Sequence, residues 1–307
     1  MTKISVVISA YNEEEKIKDC LDSIKNLASE IIFVDNSSSD KTSYIAKRYT
    51  NKVFIRKNNL MLNVNKNYGF LRATGDWILS LDADERVTAE LGKEIREKIE
   101  NSNPVGYWIP RRNIIFGKWI QNSIWWPDYQ LRLFRNGKGK FPEKHVHEYL
   151  SVDGKTEQLK NPLDHINYTS ISQYIYKMDK IYTESEVENI LSKGGQLVWI
   201  DAVRMPASDF LKTFFAQKGY KDGLHGLVLS ILQAFYAEIV FAKVWERQGF
   251  RRHNSPAFLE DIYKEFSKIT QEFKYWFLSS MMEMAKNPLK KAAYKFKRKI
   301  LHRKISA

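Results

Sequence analysis

The chain has 307 residues, 43% apolar and 28% charged, enough for one large domain or a domain with a substantial appendage, and too apolar for a disordered chain. A formal net charge of +13 favours an anionic partner: nucleic acid, an anionic membrane surface or a phosphorylated substrate. The single cysteine, Cys20, excludes an internal disulfide and a cysteine-based zinc site, and fits a reducing cytosol.

Residues 4–9 read as a buried strand that breaks at Tyr11-Asn12-Glu13; with one lysine ahead of it, this start is not expected to be a signal peptide. Residues 13–27 predict a helix with Ile17, Leu21, Ile24 and Leu27 on one face and Cys20 on its apolar stripe. Residues 31–34 form a second apolar strand ending at Asp35, followed by a polar turn and a helix over 41–49. A short strand over 52–56, a short helix over 65–74 and a strand over 77–81, ending at Asp82, come next. Thr88 caps a helix with Leu91, Ile95 and Ile99 on one side. This alternation predicts an α/β fold, a mostly parallel sheet flanked by helices.

Residues 106–116 and 130–135 read as strands rich in Trp and Arg, and from about Ser170 the chain turns helical. A domain over 1–165 and a helical region over 166–307 are therefore expected. Residues 224–242 come nearest to a bilayer span, but His225, Gln233 and Glu238 interrupt them. Residues 223–241 instead fit a helix in the membrane interface or a packing element, with Phe210, Phe214, Phe215 and Tyr220 suited to the headgroup boundary. Residues 286–304 hold nine Lys or Arg and no Asp or Glu, with Leu289, Phe296 and Ile300 among them. That is a basic amphipathic helix favouring an anionic membrane surface, or else a solvated tail. No nucleic-acid module accompanies it, so no nucleic-acid partner is expected.

Ligands of such sheets bind beyond the carboxyl ends of the strands, where Tyr11-Asn12-Glu13, Asp35-Asn36 and Asp82-Ala83-Asp84 converge. Asp82 and Asp84 flank one small residue, so an extended loop can turn both carboxylates toward one Mg²⁺ or Mn²⁺. Such an ion would neutralise the charge developing on a departing nucleoside diphosphate. Asp35 can accept the imide N–H of a uracil ring, or cap the helix that follows. Glu13 can reach the same nucleotide, or favour the start of the first helix. Lys66 can pair with a diphosphate or lie on the surface.

Residues 5–14 (SVVISAYNEE), 32–42 (IFVDNSSSDKT) and 75–85 (GDWILSLDADE) resemble glycosyltransferase family 2 over about residues 3–150. The resemblance implies a GT-A fold, a nucleoside-diphosphate sugar donor, a divalent metal and inversion at the anomeric carbon. More narrowly, residues 126–135 (WPDYQLRLFR), Val146-His147-Glu148 and residues 218–223 (KGYKDG) resemble lipopolysaccharide core β-glucosyltransferases and related envelope enzymes. By that resemblance Ala10, Tyr11, Glu13 and Asp35 hold the nucleoside and Lys66 touches the diphosphate. Asp82 then faces the ribose and diphosphate, and Asp84 is the main metal ligand.

An inverting transfer also needs a carboxylate at the acceptor hydroxyl. Glu148 is the first choice and Asp128 the second. His147 is placed as a diphosphate or metal contact, and Trp119, Trp125 and Trp126 either line an acceptor groove or pack.

The expected enzyme is an inverting, Mg²⁺- or Mn²⁺-dependent hexosyltransferase, peripheral on the inner face of the cell membrane. It moves glucose from UDP-glucose to a lipid-linked saccharide such as lipopolysaccharide core. A peptide or protein acceptor is the rival within that class. A non-catalytic nucleotide-sugar-binding or nucleic-acid-binding protein is the rival outside it.

Overall fold

A computed structural model of the protein describes residues 2–58, 62–100, 103–143 and 149–305. It divides into two compact units, Met1–Trp119 with Trp125–Thr169, and Ile120–Ile124 with Ser170–Ala307.

The first unit opens with β1 (Ile4–Ala10), α1 (Ile17–Ile24), β2 (Glu30–Asp35), α2 (Thr42–Ala46), β3 (Val53–Ile55), α3 (Leu62–Phe70) and β4 (Trp77–Asp82). It continues with β5 (Glu85–Val87), α4 (Ala89–Glu100), β6 (Gly106–Ile115), β7 (Lys118–Trp119) and β8 (Asp128–Arg135). The short β9 (Gly139–Lys140), β10 (Ser151–Val152) and β11 (Thr156–Gln158) precede β12 (Leu163–Tyr168).

The main sheet runs β3-β2-β1-β4-β8-β6-β12-β5. Its first four strands are parallel, as the alternation with helices requires. Beyond β4 the sheet is mixed rather than mostly parallel. The link from β6 to β8 contains no crossover helix, so β8 lies antiparallel to both β6 and β4.

Both faces of the parallel half are buried, which is why its strands read as continuous apolar runs. Ile4, Val6 and Ile8 pack with Ile17, Cys20, Leu21 and Ile24 of α1 and with Leu91, Ile95 and Ile99 of α4. Val7, Ile32, Val34 and Ile78 pack on the other face with Phe70, Phe134 and Phe141.

α1 begins at Ile17 rather than at Glu13. Asn12 adopts φ 53°, and the amides of Glu13 and Glu14 donate to Thr42 Oγ1 (2.7 Å) and Asp40 Oδ2 (3.1 Å) in the neighbouring loop. Those bonds tie down residues 12–14 before the helical pattern starts.

The second unit holds α5 (Ile171–Lys177), α6 (Thr183–Ser192), α7 (Asp201–Phe210), α8 (Leu224–Arg247), α9 (Phe258–Met284) and α10 (Pro288–Ile305). Ser170 caps α5 by accepting from the Gln173 amide at 3.1 Å. Val240 and Val244 of α8 pack on Val187 of α6, and Arg204 of α7 pairs with the buried Glu265 of α9. α8 is long and apolar enough, by length and composition alone, to cross a bilayer, despite its polar interruptions.

The 218–223 motif forms the corner that launches α8. Asp222 is buried and accepts from Gln121 N and Asn122 Nδ2, both at 3.1 Å. Lys218 and Lys221 both reach Glu283 of α9, at 3.0 and 2.8 Å. A side chain on Gly226 would bring its Cβ within 1.8 Å of Gly219 O, so only glycine lets these two backbones meet.

Candidate active site

Strand register brings the predicted clusters together. Ala10 lies beside Asp35 across β1–β2, and Ser9 lies beside Asp82 across β1–β4. The carboxyl ends of β2, β1 and β4 therefore form one edge. The Asn36 amide donates to Ala10 O at 2.9 Å, and Asn12 Oδ1 accepts from the Ser39 amide at 2.8 Å, lacing the two loops above that edge.

Asp35 is buried. Its Oδ2 accepts from the Ser38 amide at 3.2 Å, while its Oδ1 has no hydrogen-bond partner among the described residues. A buried carboxylate oxygen left open at a strand end is an acceptor awaiting a donor, as an imide N–H would be. Tyr11, which follows Ala10 in the chain, is exposed, and Glu13 carries its carboxylate 3.6 Å from Lys16.

Asp82 sits within a chain of alternating charges. Lys66, buried and under the Phe141 ring, reaches Asp82 Oδ1 at 2.6 Å, and Arg132 engages Asp82 Oδ2. Arg132 also binds the fully buried Glu85 at 2.6 Å, and Glu85 accepts the Asp82 amide at 2.9 Å. Arg111 links Glu85 (3.7 Å) to Asp128 (2.6 Å). Burial works to raise the Asp82 pKa, but the Arg132 and Lys66 charges override it and hold the carboxyl well below its usual range. Lys66, Asp82, Arg111, Gln130 and Arg132 line a polar cleft of about 180 Å³.

Asp84 points to a different partner. Its Oδ2 is 3.6 Å from His165 Nε2, on β12. Burial would raise its pKa, and the His165 ring more than offsets that. Asn113 sets the ring. Its Nδ2 donates to Trp125 O (2.9 Å) and Asp128 Oδ2 (3.2 Å), so its Oδ1, 2.7 Å from His165 Nδ1, accepts. The Nδ1 proton is thereby fixed, and Nε2 is the ring nitrogen that faces Asp84. A carboxylate and an imidazole nitrogen facing one space are a donor set that a divalent cation can use in place of the Nε2 proton. Among the described residues no group of three His, Cys, Asp or Glu converges as a ligand set, so substrate oxygens would have to complete the shell. Asp82, with both oxygens already engaged by cations, is less free to serve as a ligand than Asp84.

His147 and Glu148 lie outside the described residues. Asp128 is described, and its oxygens are occupied. Oδ2 accepts from Arg111 and Asn113, and Oδ1 accepts from Gln130 at 2.9 Å. Burial works to raise its pKa, but Arg111 leads the groups that hold it below the usual value. A carboxylate hydrogen-bonded at both oxygens and with its proton affinity reduced is a poor base. Trp119 and Trp126 meet edge to face at 5.3 Å, and Trp125 meets Tyr168 at 6.3 Å, so all three are at least partly packing residues.

Four residues of this site escaped the sequence reading: Glu85, Arg111, Asn113 and His165. The alternation Leu163-Asp-His-Ile-Asn-Tyr168 was the available signal for the strand that carries His165.

Residues 5–150 match the family model described as Glycosyl transferase family 2. An uncharacterized glycosyltransferase of Rickettsia typhi is 30% identical over 258 residues, 80% of this chain and 88% of that one. The lipopolysaccharide core biosynthesis glycosyltransferase LpsC of Rhizobium meliloti is 25% identical over 255 residues, 81% of this chain and 94% of that one. The crystal structure of S. aureus TarS 1–349 aligns over 82% of this chain and 93% of that one, with a TM-score of 0.42 at 17% identity.

Proposed function

Since the chain belongs to glycosyltransferase family 2 and has its GT-A fold, we propose that it transfers a hexose, glucose from UDP-glucose, with inversion, to a lipid-linked envelope saccharide such as lipopolysaccharide core, at the cytoplasmic face of the membrane. The observation that carries this reading is the shared edge on which the β2 end holds the open Asp35 oxygen and the β4 end holds Asp82 and Asp84. The likeness to a relative named for lipopolysaccharide core biosynthesis supports the acceptor class.

Each residue has a derivable task. Asp35 accepts the uracil imide, with Ala10, Tyr11 and Glu13 around the nucleoside. Lys66 exchanges Asp82 for the incoming diphosphate, a short move for an amine already at the cleft. Asp82 stays ionised between Arg132 and Lys66 and faces the ribose and diphosphate. Asp84 and His165 would hold Mg²⁺ or Mn²⁺, with His147 as a further candidate. When bound, that ion supplies positive charge against the diphosphate oxygens as the sugar leaves. Glu148 takes the proton from the acceptor hydroxyl as that oxygen attacks the face opposite the diphosphate.

Thermal-shift titration of UDP-glucose and other nucleotide sugars, with and without Mn²⁺, tests the donor assignment, because a ligand that binds only the native state raises the melting temperature. No stabilisation by any uridine diphosphate sugar would sink it. In the same assay Asn113→Ala should weaken Mn²⁺-dependent stabilisation by UDP roughly 10- to 100-fold, as loss of a ligand-orienting partner does. An unchanged Mn²⁺ titration would remove the His165 role.

The base is tested by transfer rates with donor binding monitored. Glu148→Gln should lower turnover by about 10²- to 10⁴-fold at unchanged UDP affinity. Asp128→Asn should cost far less. The reverse order would make Asp128 the base.

A further inference from the structure

We propose that the outward face of α10 is a docking surface for an anionic lipid leaflet, and that this helix, rather than the more apolar α8, sets the affinity of the protein for membrane. The proposal deepens the membrane part of the reading above and is independent of the donor chemistry.

α10 has two faces with different partners. Among the described side chains of α10, Tyr294, Arg298 and Leu301, at helical spacing, are the half-buried ones. Arg298 lies 5.7 Å over the Tyr275 ring and donates to Ser279 Oγ at 3.4 Å, so this face packs on α9. Leu289, Ala293, Phe296 and Ile300 follow the same spacing on the opposite side. Leu289, Phe296 and Ile300 are 81%, 66% and 44% exposed. Among the described residues no element of the second unit covers this stripe, and a solvated helix gains nothing from placing its bulkiest apolar side chains there.

The borders of the stripe say what covers it. On a helical wheel Lys290 and Lys297 flank it on one side, and Lys295 and Lys299 on the other. Residues 286–304 contain no acidic residue to neutralise them. A lipid leaflet offers both halves of the complement, acyl chains for the stripe and anionic headgroups for the lysines. Nucleic acid would satisfy the lysines and leave Leu289, Phe296 and Ile300 in water. α8 differs on this point. Its exposed Leu224, Ile231, Phe235 and Trp245 have no comparable ring of cations, so its apolar face does not select a charged surface.

The test is co-sedimentation of the full chain with phosphatidylcholine vesicles and with vesicles carrying phosphatidylglycerol. Wild type should prefer the anionic vesicles, and added salt should weaken that preference. Replacing Lys290, Lys297 and Lys299 by Gln should reduce binding to anionic vesicles about a hundredfold, since each lysine near the surface contributes about a fivefold factor. Leu289→Ser with Phe296→Ser and Ile300→Ser should reduce binding at least about tenfold, with an unchanged melting temperature because all three are exposed. Both variants should keep transfer to a soluble acceptor, so loss of membrane binding and failure of the proposed reaction are distinguishable. Equal binding of wild type to neutral and anionic vesicles overturns the proposal. So does full vesicle binding by either variant, or displacement from vesicles by duplex DNA that binds both variants as weakly as they bind lipid.

Discussion

Asp84→Ala should transfer sugar about a thousandfold more slowly than wild type and melt at nearly the same temperature. The rate falls because Asp84 is the charged member of the pair that would hold the cation. Charge stabilisation of a leaving diphosphate by a metal is worth several kcal/mol, and about 4 kcal/mol is a factor of a thousand. The fold survives because Asp84 carries no buried network. Its carboxylate faces His165, which remains held by Asn113. Its backbone oxygen, which accepts from the Ile166 amide at 2.9 Å, is untouched. The measurements are turnover with saturating Mn²⁺ and the melting curve without ligand. Turnover within tenfold of wild type would place the cation elsewhere.

Glu85→Ala should do the reverse, acting on stability before chemistry. Glu85 is fully buried and joins three elements, accepting from Arg132 on β8, from the Asp82 amide at the end of β4 and, more distantly, from Arg111 on β6. Its loss leaves the buried Arg132 guanidinium with Asp82 as its remaining carboxylate partner. Breaking a buried pair from one side costs about 3–5 kcal/mol, which is a fall of roughly 10 °C in a unit of this size. Glu85→Gln keeps an acceptor for the Asp82 amide and should lose less. A fall below about 2 °C for Glu85→Ala would mean that water reaches Arg132 and the network is not structural.

The parts of the protein that were legible in the sequence are those set by short-range pattern. β1, β2 and β4 are apolar runs because both sheet faces bury them, and the first polar residue after each run marks its carboxyl end. The same runs put Asp35, Asp82 and Asp84 on one edge of a parallel sheet. The insertion of β8 between β4 and β6 was not legible, because pairing partners across a sheet leave no periodic mark. The place of Arg132 in the buried network was not legible either. Its partners Asp82 and Glu85 stand 50 and 47 residues away, and only the β4–β8 pairing brings them within reach. His165 was hidden differently. β12 puts His165 and Asn167 at buried positions, so the polar residues that equip the strand also disguise it. α9 fails the simple pattern too, since an exposed apolar stripe (Leu259, Tyr263, Phe266, Phe273) blurs its amphipathic signal.

The buried carboxylate of Asp222 has a consequence in time. Its partners, Gln121 and Asn122, precede it by 101 and 100 residues. A ribosome adding roughly 5–20 residues per second presents the Gln121 amide and the Asn122 side chain about 5–20 s before the aspartate that binds them. During that interval β12 is completed and the first unit can close its sheet, while the short segment 120–124 waits for a helix not yet made. The order of synthesis thus requires the sheet to tolerate an unanchored loop between β7 and β8, and substitutions that make residues 120–124 sticky should reduce soluble yield more than they reduce the stability of the finished protein.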